Sequence, residues 1–172
     1  MRILVVVDMQ NDFITGALGT VEAQGIVEAV RRKVASFDGE VIFTLDTHTE
    51  DYLSSQEGRM LPVTHCVKGT EGWKLDEGLE DFASAHGCLR FEKPTFGSTA
   101  LAHHLAARKD EIESVELVGL CTDICVVSNA LILKAVLSET PIIVDSSCCA
   151  GVTTERHQAA LETMASCQVI VR

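Results

Sequence analysis

The regular alternation of short apolar runs with longer helical repeats is the feature that most constrains the fold of this chain. Residues 2–7 form a continuous run rich in β-branched side chains, as in a strand that is covered on both faces. Residues 21–37 instead repeat apolar residues at helical spacing and are closed by Asp38-Gly39. Continuous apolar runs and apolar residues at helical spacing alternate in the same way along the rest of the chain. This pattern predicts strands that alternate with helices.

Six strands and five helices are predicted from these patterns. The predicted strands are 2–7, 40–45, 88–91, 115–120, 141–144 and 168–171. The predicted helices are 21–37, 75–85, 98–109, 124–137 and 153–165, with Ser98 or Thr99 as the N-cap of the third. Residues 46–87 are glycine-rich and irregular outside the predicted helix.

This order predicts a three-layer α/β/α fold with a six-stranded parallel sheet of the Rossmann-like type and right-handed crossovers. With 172 residues, 47% of them hydrophobic, the chain has the size of one domain, which we assign to residues 1–172. The turn after the first strand has no G-x-G-x-x-G pattern, so a dinucleotide-binding function loses its main support.

Charge and cysteine content exclude several classes of function. The net charge of −11 repels phosphate backbones and anionic lipid, so we expect no nucleic-acid and no membrane partner. No apolar run approaches the roughly 18 residues of a membrane span, and none resembles a signal peptide. The seven cysteines include no C-x-x-C pair. We therefore expect free thiols in a cytoplasmic protein.

Four consecutive predicted strands each lead directly to a polar or reactive side chain. Asp8 follows the first strand, and Asp46 follows the second, with His48 two residues later. Lys93 comes after the third strand, and Cys125 begins the helix after the fourth. Ligands of parallel α/β sheets bind outside the carboxyl ends of the strands, so these residues are candidates for one site.

Asp8, Lys93 and Cys125 have the chemistry of a nucleophile with its base and a cation. The first turn of a helix and a nearby Lys93 ammonium would both favour a Cys125 thiolate. A carboxylate that ends an apolar strand needs a partner, which a lysine or a thiol proton can supply. The alternative for Cys125 is a small buried apolar residue, the usual state of a cysteine.

A second group consists of Asp46, His48, Glu57 and His65. Asp46 and His48, two apart on an extended segment, can reach one ion, and His65 can close the site from across the loop. Carboxylate and imidazole ligands suit Zn²⁺, Mn²⁺ or Fe²⁺. Spacing alone leaves a site without an ion as an open alternative.

Several segments together resemble the isochorismatase-like cysteine hydrolase superfamily, and within it the nicotinamidases, over nearly the whole chain. The matching segments are VVVDMQNDF (5–13), FTLDTH (43–48), LPVTHCVKGTEGW (61–73), FEKPTFGS (91–98) and LVGLCTDICVVSNA (117–130). The resemblance implies a catalytic triad of Asp8, Lys93 and Cys125. It also implies a non-proline cis peptide bond before Cys121, with the backbone N–H groups of Cys121 and Cys125 forming an oxyanion hole.

The resemblance further implies a divalent metal on Asp46, His48 and His65. Many nicotinamidases add a histidine in this loop, but no histidine lies between His48 and His65 here. Some members use a glutamate, and Glu57 is the candidate. Isochorismatases proper lack the metal set, which favours a nicotinamidase that acts in NAD salvage.

A small carboxamide, nicotinamide, is the substrate that these implications favour, and Phe13, Trp73 and Phe96 are the residues expected to contact its ring. Core packing is the alternative for each aromatic side chain. Rival functions are an N-carbamoyl or ureido amidase, an isochorismatase, a non-catalytic binding protein on the same fold, and a Cys121–Cys125 redox pair. Related folds often pair, so we also expect a homo-oligomer.

Overall fold

A computed structural model describes residues 1–172 and contains six strands. All neighbouring strands run parallel, and the sheet has the order β3-β2-β1-β4-β5-β6. The strands are β1 (Arg2–Val7), β2 (Glu40–Asp46), β3 (Leu89–Lys93), β4 (Ser114–Leu120), β5 (Ile142–Ala150) and β6 (Ile170–Val171). The predicted parallel α/β fold is confirmed.

Seven α-helices connect the strands. They are α1 (Asn11–Ile14), α2 (Val21–Ser36), α3 (Gln56–Met60), α4 (Glu77–Ala85), α5 (Thr99–Ala106), α6 (Val127–Val136) and α7 (Thr154–Ser166). Short 3-10 turns cover Tyr52–Ser54 and Lys109–Glu111, and a π-helical turn covers Thr122–Val126. No helix has the length and apolar character needed to cross a bilayer.

The helices cover both faces of the sheet, which gives the predicted three layers. One core packs α5, α6 and α7 against one face, and the other packs α2 and α4 against the opposite face. The strand β1 contributes to both, with Val5 and Val7 on one side and Leu4 and Val6 on the other. Burial on both faces explains why this strand is apolar throughout rather than alternating.

The strand order reverses between β1 and β4, which are neighbours in the sheet. Chain segments leave the carboxyl ends of β1 and β4 in opposite directions there, which opens a crevice for a ligand. Gly119, near the end of β4, has φ +115° and lies so close to the Val7 carbonyl that a Cβ would clash. A glycine is therefore needed where β4 approaches β1 at the crevice.

Several element boundaries differ from the predictions. β3 ends at Lys93 and β2 at Asp46, so these two residues close their strands and are paired in register rather than following them. β5 extends to Ala150, well beyond the predicted end at residue 144, with a register shift opposite Leu117 and Gly119. The short α3 lies inside the segment predicted to be irregular.

Candidate active site and metal centre

Asp8, Lys93 and Cys125 meet at the carboxyl ends of the central strands. Asp8 follows β1, Lys93 ends β3, and Cys125 lies in the π-helical turn after β4. Lys93 Nζ is 2.6 Å from Asp8 Oδ2 and 3.4 Å from Cys125 Sγ. The three residues are 0%, 1% and 5% exposed, in chain order. The structure thus brings the predicted triad together in a buried cluster.

Two neighbours hold the Asp8 carboxylate. Thr44, from β2, donates a hydrogen bond from Oγ1 to Asp8 Oδ1 at 2.7 Å, and the Lys93 ammonium contacts Oδ2. Burial raises the pKa of Asp8, although the charge of Lys93 opposes this shift. A fixed carboxylate with a raised pKa is a stronger base than a solvated one, which suits it to accept a proton.

The surroundings of the Cys125 thiol act on its pKa in opposite directions. Burial raises its pKa well above the ordinary value, Asp8 raises it further, and the ammonium of Lys93 lowers it by less. Removal from water thus opposes the thiolate that the helix terminus and the lysine favour. This direction agrees with a mechanism in which a base takes the thiol proton as Cys125 reacts.

The turn that presents Cys125 begins at a cis peptide bond between Leu120 and Cys121, which confirms that feature of the family resemblance. The Cys121 carbonyl accepts hydrogen bonds from the N–H groups of Ile124 and Val126 at 3.1 and 3.0 Å. Cys121 and Cys125 therefore lie in one tight turn. That their amides form an oxyanion hole stays a prediction.

Asn129 ties this turn to the segment before α5. Its Nδ2 donates to the Cys125 carbonyl at 2.8 Å and to the Phe96 carbonyl at 3.1 Å, and its Oδ1 accepts from the Ser98 N–H at 2.9 Å. Asn129 is 1% exposed. Sequence reasoning missed this residue, although a polar side chain on the buried face of an apolar helix signals an internal partner.

The Cys121 thiol differs from what a redox pair requires. Burial raises its pKa to about 12, and both Cys121 and Cys125 are free thiols. Thiolate is the reactive form in disulfide exchange, so a buried protonated Cys121 is a poor partner for it.

Four side chains converge beside the triad and form the only group in the chain that could hold a metal ion, which we call the metal-type cluster. The donors Asp46 Oδ2, His48 Nε2, Glu57 Oε1 and His65 Nε2 lie within 4.8 Å of one another. Asp46 Oδ2 is 3.0 Å from His48 Nε2 and 3.4 Å from His65 Nε2, while Glu57 Oε1 is 3.7 and 3.9 Å from the same nitrogens. The structure thus groups all four predicted ligands.

The charges and hydrogen bonds of this cluster fit a divalent cation. His65 Nδ1 lies 2.7 Å from the Val63 carbonyl, which directs Nε2 into the cluster as a ligand atom. Burial and the charge of Asp46 both raise the pKa of Glu57, since two carboxylates here repel each other. A cation would relieve that repulsion, and two imidazoles with two carboxylates suit Zn²⁺, Mn²⁺ or Fe²⁺.

Lys93 joins the two clusters. Its Nζ lies 3.4 Å from Asp46 Oδ1, on the opposite side of the carboxylate from the histidines. Burial disfavours the ammonium, but Asp8 and then Cys125 and Asp46 raise the pKa of Lys93 above its ordinary value. The positively charged ammonium of Lys93 therefore lies between its two triad partners, Asp8 and Cys125, and the metal-type cluster.

Gln10 is a second residue that sequence reasoning missed. Its Oε1 accepts from the Asp46 N–H at 2.8 Å, and its Nε2 donates to the carbonyls of Asp46 at 2.9 Å and Trp73 at 2.8 Å. Gln10 is fully buried. It fixes the backbone of Asp46, and the signal for it is an uncharged polar residue two positions after the triad aspartate.

The three aromatic residues predicted to contact substrate occupy different positions. The Phe13 ring lies 5.6 Å from the His65 ring, so Phe13 adjoins the metal-type cluster. Trp73 is half-buried, and its Nε1 donates to Thr47 Oγ1 at 2.9 Å. Phe96 is 42% exposed, so core packing does not explain it. Their contact with substrate stays a prediction.

A parallel α/β sheet that presents a thiol beside a carboxylate and a lysine has the arrangement of a nucleophilic hydrolase. The isochorismatase domain model matches residues 2–172. The chain therefore belongs to the isochorismatase family.

Characterised relatives cover essentially the full chain. It is 30% identical to the nicotinamidase/pyrazinamidase of Mycobacterium tuberculosis, over 98% of this chain and 97% of that protein. The pyrazinamidase/nicotinamidase of Streptococcus mutans has a similar structure, with a TM-score of 0.87, 27% identity and full coverage of both chains. The Pyrococcus horikoshii pyrazinamidase, solved in complex with zinc, has a TM-score of 0.80 and 26% identity, over 99% of this chain and 98% of that one.

Proposed function

We propose that this chain is a nicotinamidase, which hydrolyses nicotinamide to nicotinate and ammonia through a thioester on Cys125. The coarser class, a hydrolase of amide carbon–nitrogen bonds, follows from the family and its nicotinamidase relatives. The observation that carries the finer proposal is the position of Lys93 Nζ, 3.4 Å from both Cys125 Sγ and Asp46 Oδ1. This position supports the proposal, because it puts the Cys125 thiol close to the metal-type cluster that would hold a ring nitrogen.

The first half of the reaction forms the thioester. Asp8 accepts the proton of the Cys125 thiol as sulfur attacks the carboxamide carbon, and Lys93 stabilises the developing thiolate. The tetrahedral intermediate collapses when the carbon–nitrogen bond breaks, and Asp8 returns the proton to the departing nitrogen, which leaves as ammonia. The raised pKa of Asp8 supports both transfers, because a weakly acidic carboxyl group can take and then release the same proton.

The second half hydrolyses the thioester. Asp8 takes a proton from the attacking water and returns it to the Cys125 sulfur when the carbon–sulfur bond breaks, so Cys125 leaves as the thiol. The nicotinic acid that forms then loses its own proton to give nicotinate. In both halves the backbone N–H groups of Cys121 and Cys125 are proposed to hold the oxyanion, a contribution of about 3 kcal/mol for each donor.

Asp46, His48, Glu57 and His65 are the residues that would hold the divalent metal. When bound, such an ion supplies a Lewis-acidic site for a pyridine nitrogen or for water. Phe13 would pack against the ring, because it already contacts the His65 side of this cluster. Trp73 and Phe96 are proposed as further pocket residues.

A panel of substrates tests the proposal. We expect ammonia release from nicotinamide, and a much lower kcat/KM for N-carbamoyl and ureido compounds and for the enol ether isochorismate. A preference for one of these other compounds would replace nicotinamide with that class. No turnover of any of them, together with tight binding of an amide, would favour the rival non-catalytic binding protein.

Elemental analysis of the purified protein tests the metal. We expect close to one zinc, manganese or iron per chain, and a loss of activity after chelation that the same ion restores. A fully active, metal-free enzyme would remove Asp46, His48, Glu57 and His65 from the function.

Three further assignments belong to this proposal. Residues 1–172 would act as one catalytic domain, with a small amide as the partner and no nucleic acid, in keeping with the net charge of −11. The enzyme would work in the cytoplasm. We also propose a homo-oligomer, which sedimentation of the purified protein would test.

A further inference from the structure

We propose that Tyr52 is a positioning residue that holds His48, Glu57 and His65 in their metal-binding arrangement before an ion arrives. The inference rests on the metal site of the proposed function. No hydrogen bond joins the Tyr52 side chain to the triad, and Tyr52 is the only tyrosine in the chain. Its ring contacts two of the ligands and its hydroxyl donates to the Leu61 carbonyl, so its effect would pass through the ligands.

The ring of Tyr52 packs against both histidines. Its centroid is 4.6 Å from the His48 ring, at an interplanar angle of 56°, and 4.9 Å from the His65 ring, at 74°. The two histidine rings are themselves 4.8 Å apart. Tilted and edge-on contacts at these distances are favourable for aromatic rings. The three rings therefore restrict one another's rotamers.

The backbone and hydroxyl of Tyr52 also hold the helix that carries Glu57. The hydroxyl donates to the Leu61 carbonyl at 3.0 Å, and the Leu61 N–H donates to the Glu57 carbonyl at 2.8 Å. Gly58 lies so close to the Tyr52 carbonyl that a Cβ would clash with it. The short α3 is thus seated directly on Tyr52, and a five-residue helix needs such support because it is not stable by itself.

Tyr52 is 2% exposed, so a role in core packing has to be separated from a role in ligand placement. Core packing alone predicts that a smaller side chain lowers the unfolding temperature of the metal-free protein and leaves the affinity of the folded protein for metal unchanged. Ligand placement predicts a weaker affinity as well, since disordered ligands must be ordered when the ion binds.

The experiment titrates Zn²⁺ and, separately, Mn²⁺ into the metal-free protein against a chromophoric chelator. We expect Tyr52→Leu to weaken binding about 10- to 100-fold, the range for groups that orient metal ligands. The matched control is Leu53→Ala, in the same turn but 53% exposed, which should leave the affinity unchanged. Thermal unfolding of each metal-free variant reports the packing contribution separately.

Tyr52→Phe keeps the ring and removes the hydrogen bond to Leu61. It therefore tests the support that the hydroxyl gives to the helix of Glu57, even if Tyr52→Leu fails to fold. We expect affinity to fall about 3- to 10-fold, as for one hydrogen bond, and to fall by much less when Glu57→Gln is already present. An equal loss in both backgrounds, or no loss in either, would overturn the proposal. If the wild-type protein bound neither ion, the metal role in the proposed function would fail first, and this inference with it.

Discussion

Two lysines of this protein lie beside an aspartate and a cysteine, and only one of the two groups has the surroundings of an active site. The catalytic cluster consists of Asp8, Lys93 and Cys125. The Lys33 cluster consists of Lys33, Glu116, Asp145 and Cys148, with Lys33 Nζ 2.5 Å from Glu116 Oε1 and 2.8 Å from Asp145 Oδ2. Lys33 and Asp145 lie near enough to Cys148 for their charges to shift the pKa of its thiol.

The two clusters differ in how completely their charges are paired. Glu116 also pairs with Arg172 at 2.8 Å, and Lys33 has two carboxylates at contact distance. Lys93 has only Asp8 at contact distance, and its other neighbours, at 3.4 Å, are a thiol and a carboxylate of the metal-type cluster. Its ammonium can therefore stabilise new charge on sulfur.

The position on the sheet accounts for this difference. The catalytic cluster lies at the carboxyl ends of the strands, where the chain turns and backbone N–H groups are available. The Lys33 cluster lies where α2 packs across the face of β4 and β5, and Glu116 is in the middle of its strand. The same residue types therefore do not form an active site by themselves. The carboxyl ends of the strands supply what is missing, the chain turns and the free backbone N–H groups.

The largest expected difference is between the two cysteines. Cys125→Ala should lower kcat/KM for ammonia release by at least about 10⁴-fold, as the loss of a nucleophile does in other hydrolases. Cys148→Ala should leave kcat/KM unchanged, because this thiol contacts no reacting group. Steady-state ammonia release measures both, and similar losses in the two variants would abolish the distinction between the clusters.

The lysines should differ in the quantity that they change. Lys93→Met should lower kcat by about 100-fold or more, since proton transfer from Cys125 loses its stabilising charge. Lys33→Met should leave kcat unchanged and lower the free energy of unfolding by about 3 kcal/mol, because Glu116 and Asp145 lose a partly buried partner. Urea unfolding and kinetics on the folded variants separate the two.

A double mutant tests whether Lys33 stabilises the fold through its charge. Adding Asp145→Asn to Lys33→Met removes the carboxylate that Lys33→Met leaves without a cation, and it should recover part of the lost stability. No recovery would mean that Lys33 stabilises α2 by packing rather than by charge.

Each cluster also has one hydroxyl that donates a hydrogen bond to its aspartate. Removing each hydroxyl gives a matched pair of variants with a smaller expected effect. Thr44→Val removes the hydrogen bond to Asp8, and Ser147→Ala removes the 2.6 Å bond from Ser147 Oγ to Asp145 Oδ1. The Thr44 bond lowers the pKa of Asp8, so its loss should raise that pKa. The acid limb of the kcat/KM profile should therefore move to higher pH in Thr44→Val and stay in place in Ser147→Ala.

The smallest effect concerns the pH dependence of stability. Burial raises the pKa of Asp145, but the hydrogen bonds from Lys33 and Ser147 outweigh it, so the net shift is downward. A lowered pKa stabilises the folded state above the unfolded pKa of about 3.9, and this stability is lost as pH falls through the folded value. Wild type should exceed Asp145→Asn in unfolding free energy at pH 7, and the difference should shrink on acidification. A constant difference would assign the effect to packing.

The strand order and the candidate site were predictable to different depths. Apolar runs placed β1, β2 and β4 well because these strands are buried on both faces. The carboxyl ends of the strands then indicated Asp8, Lys93 and Cys125 as site residues. The end of β3 was missed because β3 is an edge strand, with exposed Leu89, Arg90 and Glu92 before the buried Lys93. The end of β5 was missed because the polar residues 145–147 interrupt its apolar run and the register shifts along this strand.

The residues that support the site were not predictable from the motifs. Thr44, Gln10 and Asn129 act through side-chain hydrogen bonds, and these include bonds between segments that are 31 to 63 residues apart in the chain. Their type is common, and only the fold shows which partner each has. Thr44, in the apolar β2, was the most visible of them, because a buried hydroxyl in such a strand requires an acceptor.

The most direct test of the account is to locate the acyl group during turnover. Enzyme that is turning over nicotinamide is quenched in acid and digested, and each cysteine-containing peptide is examined by mass spectrometry. We predict a nicotinoyl thioester on Cys125 and on none of the other six cysteines. An acyl group on Cys148, or on any thiol other than Cys125, would contradict the claim that the position of the catalytic cluster makes it the active site.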